Sequence, residues 1–265
     1  METSKQDCHI EEVRTFVHDL HNYINPPSVN IILDVGSRDA MESVTLKDFY
    51  PNANIYAFEC NPPAIELCKK NIGKHSGIVL VPNAVSDVNG TLEFFAIDPE
   101  RTITTHKDGN IGASSLFLAN PEYPHEKYHQ NKITVESVTL SRWAKHVGVF
   151  DIDILWIDLQ GAELRAFRGM EDLISHVKVI YTEVEFREMY LGQPLFNEIN
   201  QYLLRKGFVL IKLYPYGWFG NALYVRKDLV NVITRSWVYI KTRLVLLRLF
   251  LSQLKLTSSV QNECK

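Results

Sequence analysis

Acidic side chains and a glycine stand where two apolar runs of the sequence end. Asp34 and Gly36 follow the run 31–33, and Glu59 closes the run 54–59. Glycine has no Cβ, so backbone N–H groups beside it can approach a ligand closely. A carboxylate at such a position accepts hydrogen bonds from an amino group or from ribose hydroxyls. These residues therefore predict a pocket for a nucleoside that carries an amino group.

The loop after the first run discriminates between nucleoside cofactors. Dinucleotide-binding loops follow the pattern G-x-G-x-x-G, whereas this loop is Gly36-Ser-Arg-Asp-Ala40, with one glycine. Asp39 would repel a pyrophosphate. S-adenosylmethionine (SAM) has a ribose and an ammonium group but no phosphate. We therefore expect SAM rather than NAD(P), with Arg38 and Asp39 among the residues that bind it.

Three further carboxylates are candidate catalytic groups. Asp158 and Glu183 end two later apolar runs, and Glu163 begins the helical stretch after the first of them. In methyl transfer to a hydroxyl, the nucleophile must be held in line with the methyl group and the departing sulfur, and a general base must accept its proton. Asp158 is the first candidate for this base, and Glu183 is not firmly ranked below it. Glu163 either assists them or stabilises the N-terminus of its helix.

The polar segment 97–132 contains other candidates. Ser114 lies in a loop that could close over the cofactor, and His106 is an alternative base. Residues 125–129 match H-E-x-x-H, in which two histidines on one helix face bind the zinc of a protease. The flanks are polar and no clear third ligand follows. A chance match is the better interpretation, and no metal site is predicted.

Composition limits the class of protein. The 265 residues are 46% hydrophobic with a net charge of -3, which fits one large globular domain without a global bias toward nucleic acid. The four cysteines form no CxxC pair and indicate reduced thiols in a cytoplasmic protein. No apolar run is long enough to cross a bilayer.

Apolar runs alternate with helical stretches at about thirty-residue intervals, which is typical of βαβ units and a parallel sheet. The predicted strands are 30–35, 54–59, 78–85, 91–96, 133–138, 152–158, 177–184, 208–213 and 222–226. The predicted helices are 42–50, 62–71, 163–170 and 197–206. The last two strands flank a turn at 214–221 and form an antiparallel hairpin. We expect a single sheet of five parallel strands and this antiparallel pair.

Motifs in a fixed order resemble the FkbM-type SAM-dependent methyltransferases over about residues 29–228. They are Leu33–Gly36, Ala57–Pro62, Asn83–Asp87, Gly112–Leu116, Ile154–Glu163 and the pair Thr182-Glu183. The resemblance implies an α/β fold with a doubly wound, mostly parallel, seven-stranded Rossmann-like sheet and an antiparallel C-terminal hairpin. It also implies methyl transfer to a hydroxyl of a sugar, glycan or small metabolite.

The resemblance assigns roles to individual residues. It implies that the SAM pocket is lined by Asp34, Gly36, Glu59 and Asn61, with Asn83 and Ala84 near the adenine. The sequence departs from the family at two positions: Ala40 stands where many members have glycine, and Gln160 where many have glutamate. These departures keep open the alternative of a SAM-binding pseudoenzyme that serves as an interaction module. An NAD(P)-dependent oxidoreductase is a third alternative, disfavoured by the missing glycines.

The chain is predicted to have three parts. Residues 1–28 are an N-terminal helical extension, residues 29–228 the methyltransferase domain, and residues 229–265 a basic, hydrophobic helix and tail. Leucines and basic residues overlap within 229–256. This segment is interpreted as a peripheral membrane contact, a helix docked on the core or a homodimer contact. The expected partner is a small-molecule or glycan acceptor, and no nucleic acid.

Overall fold

The computed structural model describes residues 5–73, 75–231 and 234 of the chain. The helices of this part are α1 (Lys5–Leu20), α2 (Met41–Phe49), α3 (Pro62–Ile72), α4 (Leu140–Val147), α5 (Glu163–Arg168) and α6 (Phe196–Arg205). The strands are β1 (Ile31–Val35), β2 (Asn54–Phe58), β3 (Ile78–Val81), β4 (Ala84–Val85), β5 (Gly90–Ile97), β6 (Gln130–Val138), β7 (Ile152–Ile157), β8 (Val177–Glu185), β9 (Phe208–Pro215) and β10 (Phe219–Arg226).

The main sheet has seven strands in the order β3-β2-β1-β7-β8-β10-β9. The first five run parallel, and β10 is antiparallel to both of its neighbours. The predicted doubly wound sheet with a C-terminal hairpin is confirmed. Strand order reverses between β1 and β7, so a crevice opens beyond the carboxyl ends of these two strands.

Helices cover both faces of the main sheet. Helices α1, α2 and α3 supply buried apolar side chains to one face, and α4, α5 and α6 to the other. Strand β7 is buried at every position, as expected for a central parallel strand, and its one charged residue, Asp153, accepts hydrogen bonds from the backbone N–H groups of Asn30 and Ile31. Helix α1 lies within the predicted extension 1–28. Its Phe16 ring contacts Trp156 at 5.3 Å and Tyr181 at 5.0 Å between centroids, so the helix is part of the core.

A second sheet corrects the prediction of one sheet. Strand β6 pairs in parallel with β4 and antiparallel with β5. The predicted strand 78–85 is divided between the two sheets, since β3 ends at Val81 and β4 begins at Ala84. Pro82 stands between them and has no N–H to continue the ladder. The small sheet carries segment 97–132 over one end of the crevice.

Helix α4 was not predicted from the sequence. The Thr139 hydroxyl accepts a hydrogen bond from Arg142 N at 3.3 Å and begins the helix, and Gly148 ends it in the left-handed conformation. The predicted helix within 229–256 lies almost entirely outside the described residues. Among the described residues, no helix has both the length and the apolar character needed to cross a membrane.

Candidate active site

The loops after β1 and β7 meet through Gly36. Its backbone has φ +89°, and a Cβ at this position would lie 1.8 Å from the carbonyl oxygen of Asp158. Glycine is therefore required for the approach of these two loops, a different reason from the ligand contact expected from the sequence. Gly36 N also donates to Phe58 O of β2 at 3.0 Å. The three strand ends are thereby fixed around one crevice.

An inner cavity occupies this crevice on the β2 side. It is lined by predicted SAM-binding residues, namely Gly36, Arg38, Glu59, Asn61, Asn83, Ala84, Ser114 and Asp158. Apolar side chains close it, including Phe58, Phe94 and Leu116. A nucleoside needs this combination, because its base is a flat, largely apolar ring whereas its ribose needs hydrogen-bond partners. The fold thus brings these residues together around one cavity.

Glu59 accepts hydrogen bonds from backbone N–H groups close to the N-terminus of α3. Its Oε1 accepts from Cys60 N and Asn61 N, both at 2.7 Å, and its Oε2 accepts from Arg38 N at 2.9 Å. Burial raises the pKa of Glu59 to about 7, although these three hydrogen bonds favour the ionised form. A carboxylate has about four lone-pair sites. One remains for a ribose hydroxyl.

Asn61 connects the inner cavity with segment 97–132. Its Nδ2 donates to Ser114 Oγ at 3.1 Å, so Ser114 lies against the cavity as predicted for a covering loop. Its Oδ1 is buried and has no hydrogen-bond partner among the described residues. An unsatisfied buried acceptor that lines a cavity is suited to a ligand donor. This observation fits a hydroxyl or amino group of the cofactor.

Two predicted SAM-binding residues lie outside the cavity lining. Asp34 is buried, and its Oδ2 accepts from Ser43 Oγ of α2 at 2.5 Å. Burial, followed by the charge of Glu42, raises the pKa of Asp34 to about 7. Asp39 Oδ1 accepts from Met41 N at 3.2 Å, at the first turn of α2. The structure places both carboxylates where they attach α2 to the loop after β1.

An outer cavity of ≈ 550 Å³ adjoins the inner one. The two cavities share Gly36, Arg38, Gly112, Asp158 and Gln160 in their linings. Aromatic side chains line the outer cavity, namely Tyr123, Tyr128, Trp156 and Phe219. Glu183 lies there as well. The outer cavity thus leads from solvent to the junction at Asp158.

Asp158 and Glu183 are joined by the side chain of Gln160. Its Nε2 lies 2.8 Å from Asp158 Oδ1 and 2.8 Å from Glu183 Oε2, and its Oε1 accepts from Tyr190 Oη at 2.7 Å. The backbone of Gln160 is left-handed, with φ +51°, and its carbonyl accepts from Ser115 Oγ at 2.8 Å. Segment 97–132 therefore helps to fix the amide between the two carboxyl groups.

The two carboxyl groups have unequal proton affinities. Burial, and then the charge of Asp158, raises the pKa of Glu183 well above its usual range. Burial also raises the pKa of Asp158, but the hydrogen bonds from Gln160 favour its ionised form. Two adjacent carboxyl groups rarely ionise together. Of the two, Glu183 therefore has the higher affinity for a proton that the pair shares.

Glu163 lies behind the loop rather than at the cavity surface. Its Oε1 accepts from Leu159 N at 2.6 Å and from Gly161 N at 3.3 Å, and the residue is fully buried. Burial, followed by the charge of Asp158, raises the pKa of Glu163 to about 8. Its contacts indicate that it positions the loop that carries Asp158. Glu163 is the first residue of α5, as the sequence predicted.

The remaining predicted candidates lie in segment 97–132. His106 lines the outer cavity and is 3.8 Å from Glu126 Oε1. The H-E-x-x-H stretch is not helical, and Glu126 is engaged by Thr104, Tyr128 and Asn110. This stretch therefore lacks the geometry of a zinc protease. Carboxylate oxygens of Asp158, Glu163 and Glu183 lie within 4.8 Å of one another, close enough to share a cation.

Sequence reasoning did not find every residue of the site. Gln160 was noted as a departure from the family, but its bridge between two carboxyl groups depends on the left-handed turn. Tyr190 lies in a loop after β8 and carries no motif of its own. Glu12 of α1 reaches the same end of the sheet, 171 positions before Glu183 in the chain. No local signal predicts these tertiary contacts.

The matched family and the relatives that resemble this chain are named as methyltransferases. Residues 34–210 match the family described as "Methyltransferase FkbM domain". The chain is 30% identical to the "2-O-methyltransferase NoeI" of Sinorhizobium fredii, over 73% of this chain and 78% of that protein. It is 25% identical to the "Methyltransferase sdnD" of Sordaria araneosa, over 59% and 66% of the two chains. Among solved structures, a precorrin-6y C5,15-methyltransferase from Geobacter metallireducens aligns with a TM-score of 0.45 and 13% identity, covering 82% and 88%.

Proposed function

Because the chain belongs to the FkbM family of SAM-dependent methyltransferases, we propose that it methylates a hydroxyl group of a glycan or of another small molecule. The predictions of the family, of methyltransferase activity and of SAM as cofactor are confirmed. A hydroxyl acceptor is supported by the relative from Sinorhizobium fredii, which is named a 2-O-methyltransferase. The alternative of an NAD(P)-dependent oxidoreductase is therefore no longer supported.

The junction of the two cavities carries the proposal. Asp158 and Gln160 line both the inner and the outer cavity. When bound, SAM supplies an electrophilic methyl group on a sulfonium cation. A nucleophile entering through the outer cavity reaches the inner one at Asp158. Holding two reactants in line at such a point provides a large part of the rate enhancement of a displacement reaction.

We assign the role of general base to Asp158. It is the most exposed of the three clustered carboxylates, whereas Glu183 is 9% exposed and Glu163 is fully buried. A raised pKa makes an ionised carboxylate a stronger proton acceptor near neutral pH. Glu183, protonated in the same pair, then positions Asp158. Gln160 holds both groups and donates no proton to the reaction.

The composition of the outer cavity supports a sugar acceptor. Aromatic rings such as Tyr123 and Phe219 offer apolar faces to the C–H groups of a pyranose. Carboxyl groups such as those of Asp158 and Glu183 accept hydrogen bonds from its hydroxyls. Ordinary metabolite pockets combine apolar walls with a small number of oriented polar groups, and this cavity fits that description. Hydroxyl-rich acceptors are therefore the first to test.

Two measurements test the proposal. Calorimetry with SAM, S-adenosylhomocysteine and NAD should show binding of the first two and none of NAD. Trideuteromethyl-labelled SAM is incubated with the protein and a panel of sugars and glycosides. Mass spectrometry should then detect methyl ethers of the acceptor that carry the CD₃ group. A SAM-binding pseudoenzyme, the remaining alternative, binds both adenosyl compounds and methylates nothing.

Further predictions concern the surroundings of the enzyme. We propose a cytoplasmic location, in keeping with Cys60 and Cys68, which are free thiols in the structure. Segment 229–256 lies almost entirely outside the described residues, so membrane contact, docking on the core and dimer formation stay alternatives for it. Removal of residues 230–265 distinguishes them by vesicle co-sedimentation and by mass measurement in solution.

A further inference from the structure

A recess opens between helix α1 and the carboxyl ends of β7 and β8. Glu12, Tyr181, Tyr216 and Asn221 form its part beyond the outer cavity. Its other lining residues include Trp156, Asp158 and Glu183, which also line the outer cavity. This α1 recess is therefore continuous with the outer cavity, and the two meet at the candidate base.

Glu12 is fixed in the α1 recess by contacts from two strands. Its Oε1 accepts from Tyr181 Oη of β8 at 3.1 Å and from Asn221 Nδ2 of β10 at 2.6 Å. Asn221 is directly opposite Glu183 in the β10–β8 register. Helix α1 is anchored beside these groups by the ring of Phe16. A half-buried polar group held by rigid elements is a suitable binding group.

The charge of the α1 recess restricts what it can bind. Its ionisable lining includes the carboxyl groups of Glu12, Glu42, Asp158 and Glu183, and no lysine, arginine or histidine lines it among the described residues. Such a surface repels phosphate and carboxylate groups and favours hydroxyl or amino donors. Tyr216 stands at the rim with 56% of its surface exposed, as an aromatic face for a ring that enters.

We propose that the α1 recess is a second acceptor subsite, in which Glu12 binds the sugar unit next to the one that is methylated. This inference rests on the proposed methylation of a glycan. The acceptor is then an oligosaccharide or extended glycoside without phosphate near the reacting sugar. A nucleoside-diphosphate sugar is excluded from this subsite. Glycosyl transfer must accordingly precede methylation in the reaction sequence that supplies this substrate.

Part of the subsite is formed by segments of the chain outside the matched family domain. The family match covers residues 34–210, whereas Glu12 precedes it and Tyr216 and Asn221 follow it. The inner cavity and Asp158 lie within the match. Cofactor binding and acceptor length are therefore controlled by different segments, which makes the two separable by mutation.

Matched acceptors test the subsite. Methyl glycosides of glucose, galactose, mannose and N-acetylglucosamine are compared with disaccharide glycosides that have the same terminal sugar, and with the corresponding nucleoside-diphosphate sugars. For the sugar that is methylated, kcat/KM should be about tenfold higher for the disaccharide, and the nucleotide form should be inactive. Glu12→Gln and Glu12→Ala should lower the disaccharide-to-monosaccharide ratio toward one, mainly through KM.

Controls separate the subsite from folding and from the parent function. Glu11→Gln removes a carboxylate from the exposed face of the same helix and should keep the wild-type ratio. Binding of S-adenosylhomocysteine by each variant verifies that the site is folded. Equal kcat/KM for mono- and disaccharide in the wild type, or an unchanged ratio in both Glu12 variants, overturns the subsite alone. Cofactor binding without methylation of any sugar overturns the glycan acceptor and the subsite with it.

Discussion

The side-chain amide nitrogen of Gln160 lies 2.8 Å from the carboxyl group of Glu183. The same nitrogen lies 2.8 Å from Asp158, so one neutral donor stands between two acidic side chains. The family resemblance of the sequence implies a glutamate at this position in many members. In this chain, the side chain of Gln160 donates equally to both carboxyl groups, and its backbone N–H donates in addition to Asp158 Oδ1 at 3.4 Å. Gln160 thereby gives Asp158 one more hydrogen bond that favours its ionised form, in line with its proposed role as base.

Gln160→Glu should move the pH dependence of catalysis. The new carboxyl group has no N–H to donate and adds negative charge beside Asp158, so the pKa of the base rises. The acidic limb of the kcat/KM profile is expected to shift to higher pH by about one unit, with a lower rate at neutral pH. Gln201→Glu, which adds the same charge on the exposed face of α6, is the control. Superimposable profiles for Gln160→Glu and wild type would rule out the assigned role of the amide.

The two carboxyl groups of the pair should respond differently to neutral replacements. Asp158→Asn removes the base, and kcat is expected to fall by about 10² to 10⁴-fold. Glu183→Gln keeps a neutral group where the structure indicates a protonated acid, so the loss should be about tenfold or less. Single-turnover rates with labelled SAM measure both effects.

Cofactor affinity serves as the control for these two variants. Calorimetry should give dissociation constants for S-adenosylhomocysteine within a few-fold of wild type, because the inner cavity is otherwise intact. If Glu183→Gln is the inactive variant and Asp158→Asn the active one, the roles of the two residues are reversed. Full activity in both variants removes the pair from the mechanism.

The main sheet follows from local sequence patterns, whereas the details of the site do not. The spacing of apolar residues and the positions of turn residues are sufficient to predict the βα units. Because Asp158 and Glu183 end neighbouring parallel strands, they are then expected to share a crevice. The division of the predicted strand 78–85 could have been predicted from Pro82, because proline has no N–H to extend the hydrogen-bond ladder of a sheet. Helix α4 also had one, with apolar residues at 140, 143, 144 and 147 followed by Gly148.

Other features depend on tertiary contacts that no local pattern contains. The sequence shows a glycine at position 36, but the need for it arises from the carbonyl group of Asp158, which is far along the chain. Glu163 has the same apparent chemistry as Asp158 in the sequence. Burial and two backbone donors make it a positioning group instead. The contribution of α1 to the proposed acceptor subsite could not be predicted either, because it depends on the contact between Glu12 and Asn221.

Asp34→Asn should change how stability depends on pH. Burial raises the pKa of this carboxyl group to about 7 in the folded protein, above the usual value for aspartate of about 3.9. The folded state thus binds more protons between these values, and its stability falls as the pH rises through this window. Asparagine removes this dependence, so the stability of the variant relative to wild type should improve by about 2.7 kcal/mol between pH 5 and pH 8, because about two pH units of this window lie below the folded-state pKa.

Urea unfolding at the two pH values checks this expectation. Glu93→Gln, which neutralises an exposed carboxylate on β5, corrects for a general change of charge. The absolute stability of Asp34→Asn depends also on its hydrogen bond with Ser43, so the comparison is made between pH values within each variant. A difference between variant and wild type that is independent of pH would contradict the raised pKa.

Gly36→Ala should disrupt the junction of the two cavities. The added methyl group would overlap the carbonyl oxygen of Asp158 at 1.8 Å, and the backbone has φ +89°. The loops after β1 and β7 must then separate, which is expected to destabilise the fold by more than about 1 kcal/mol and to abolish S-adenosylhomocysteine binding. Gly148→Ala is the matched control, because it also has a positive φ, +75°, but no atom lies within 4 Å of the new Cβ. Its cost should be limited to backbone strain of about 1 kcal/mol with unchanged cofactor affinity. If the two variants lose stability equally and both bind the cofactor, the close approach of Asp158 to Gly36 is not what maintains the site.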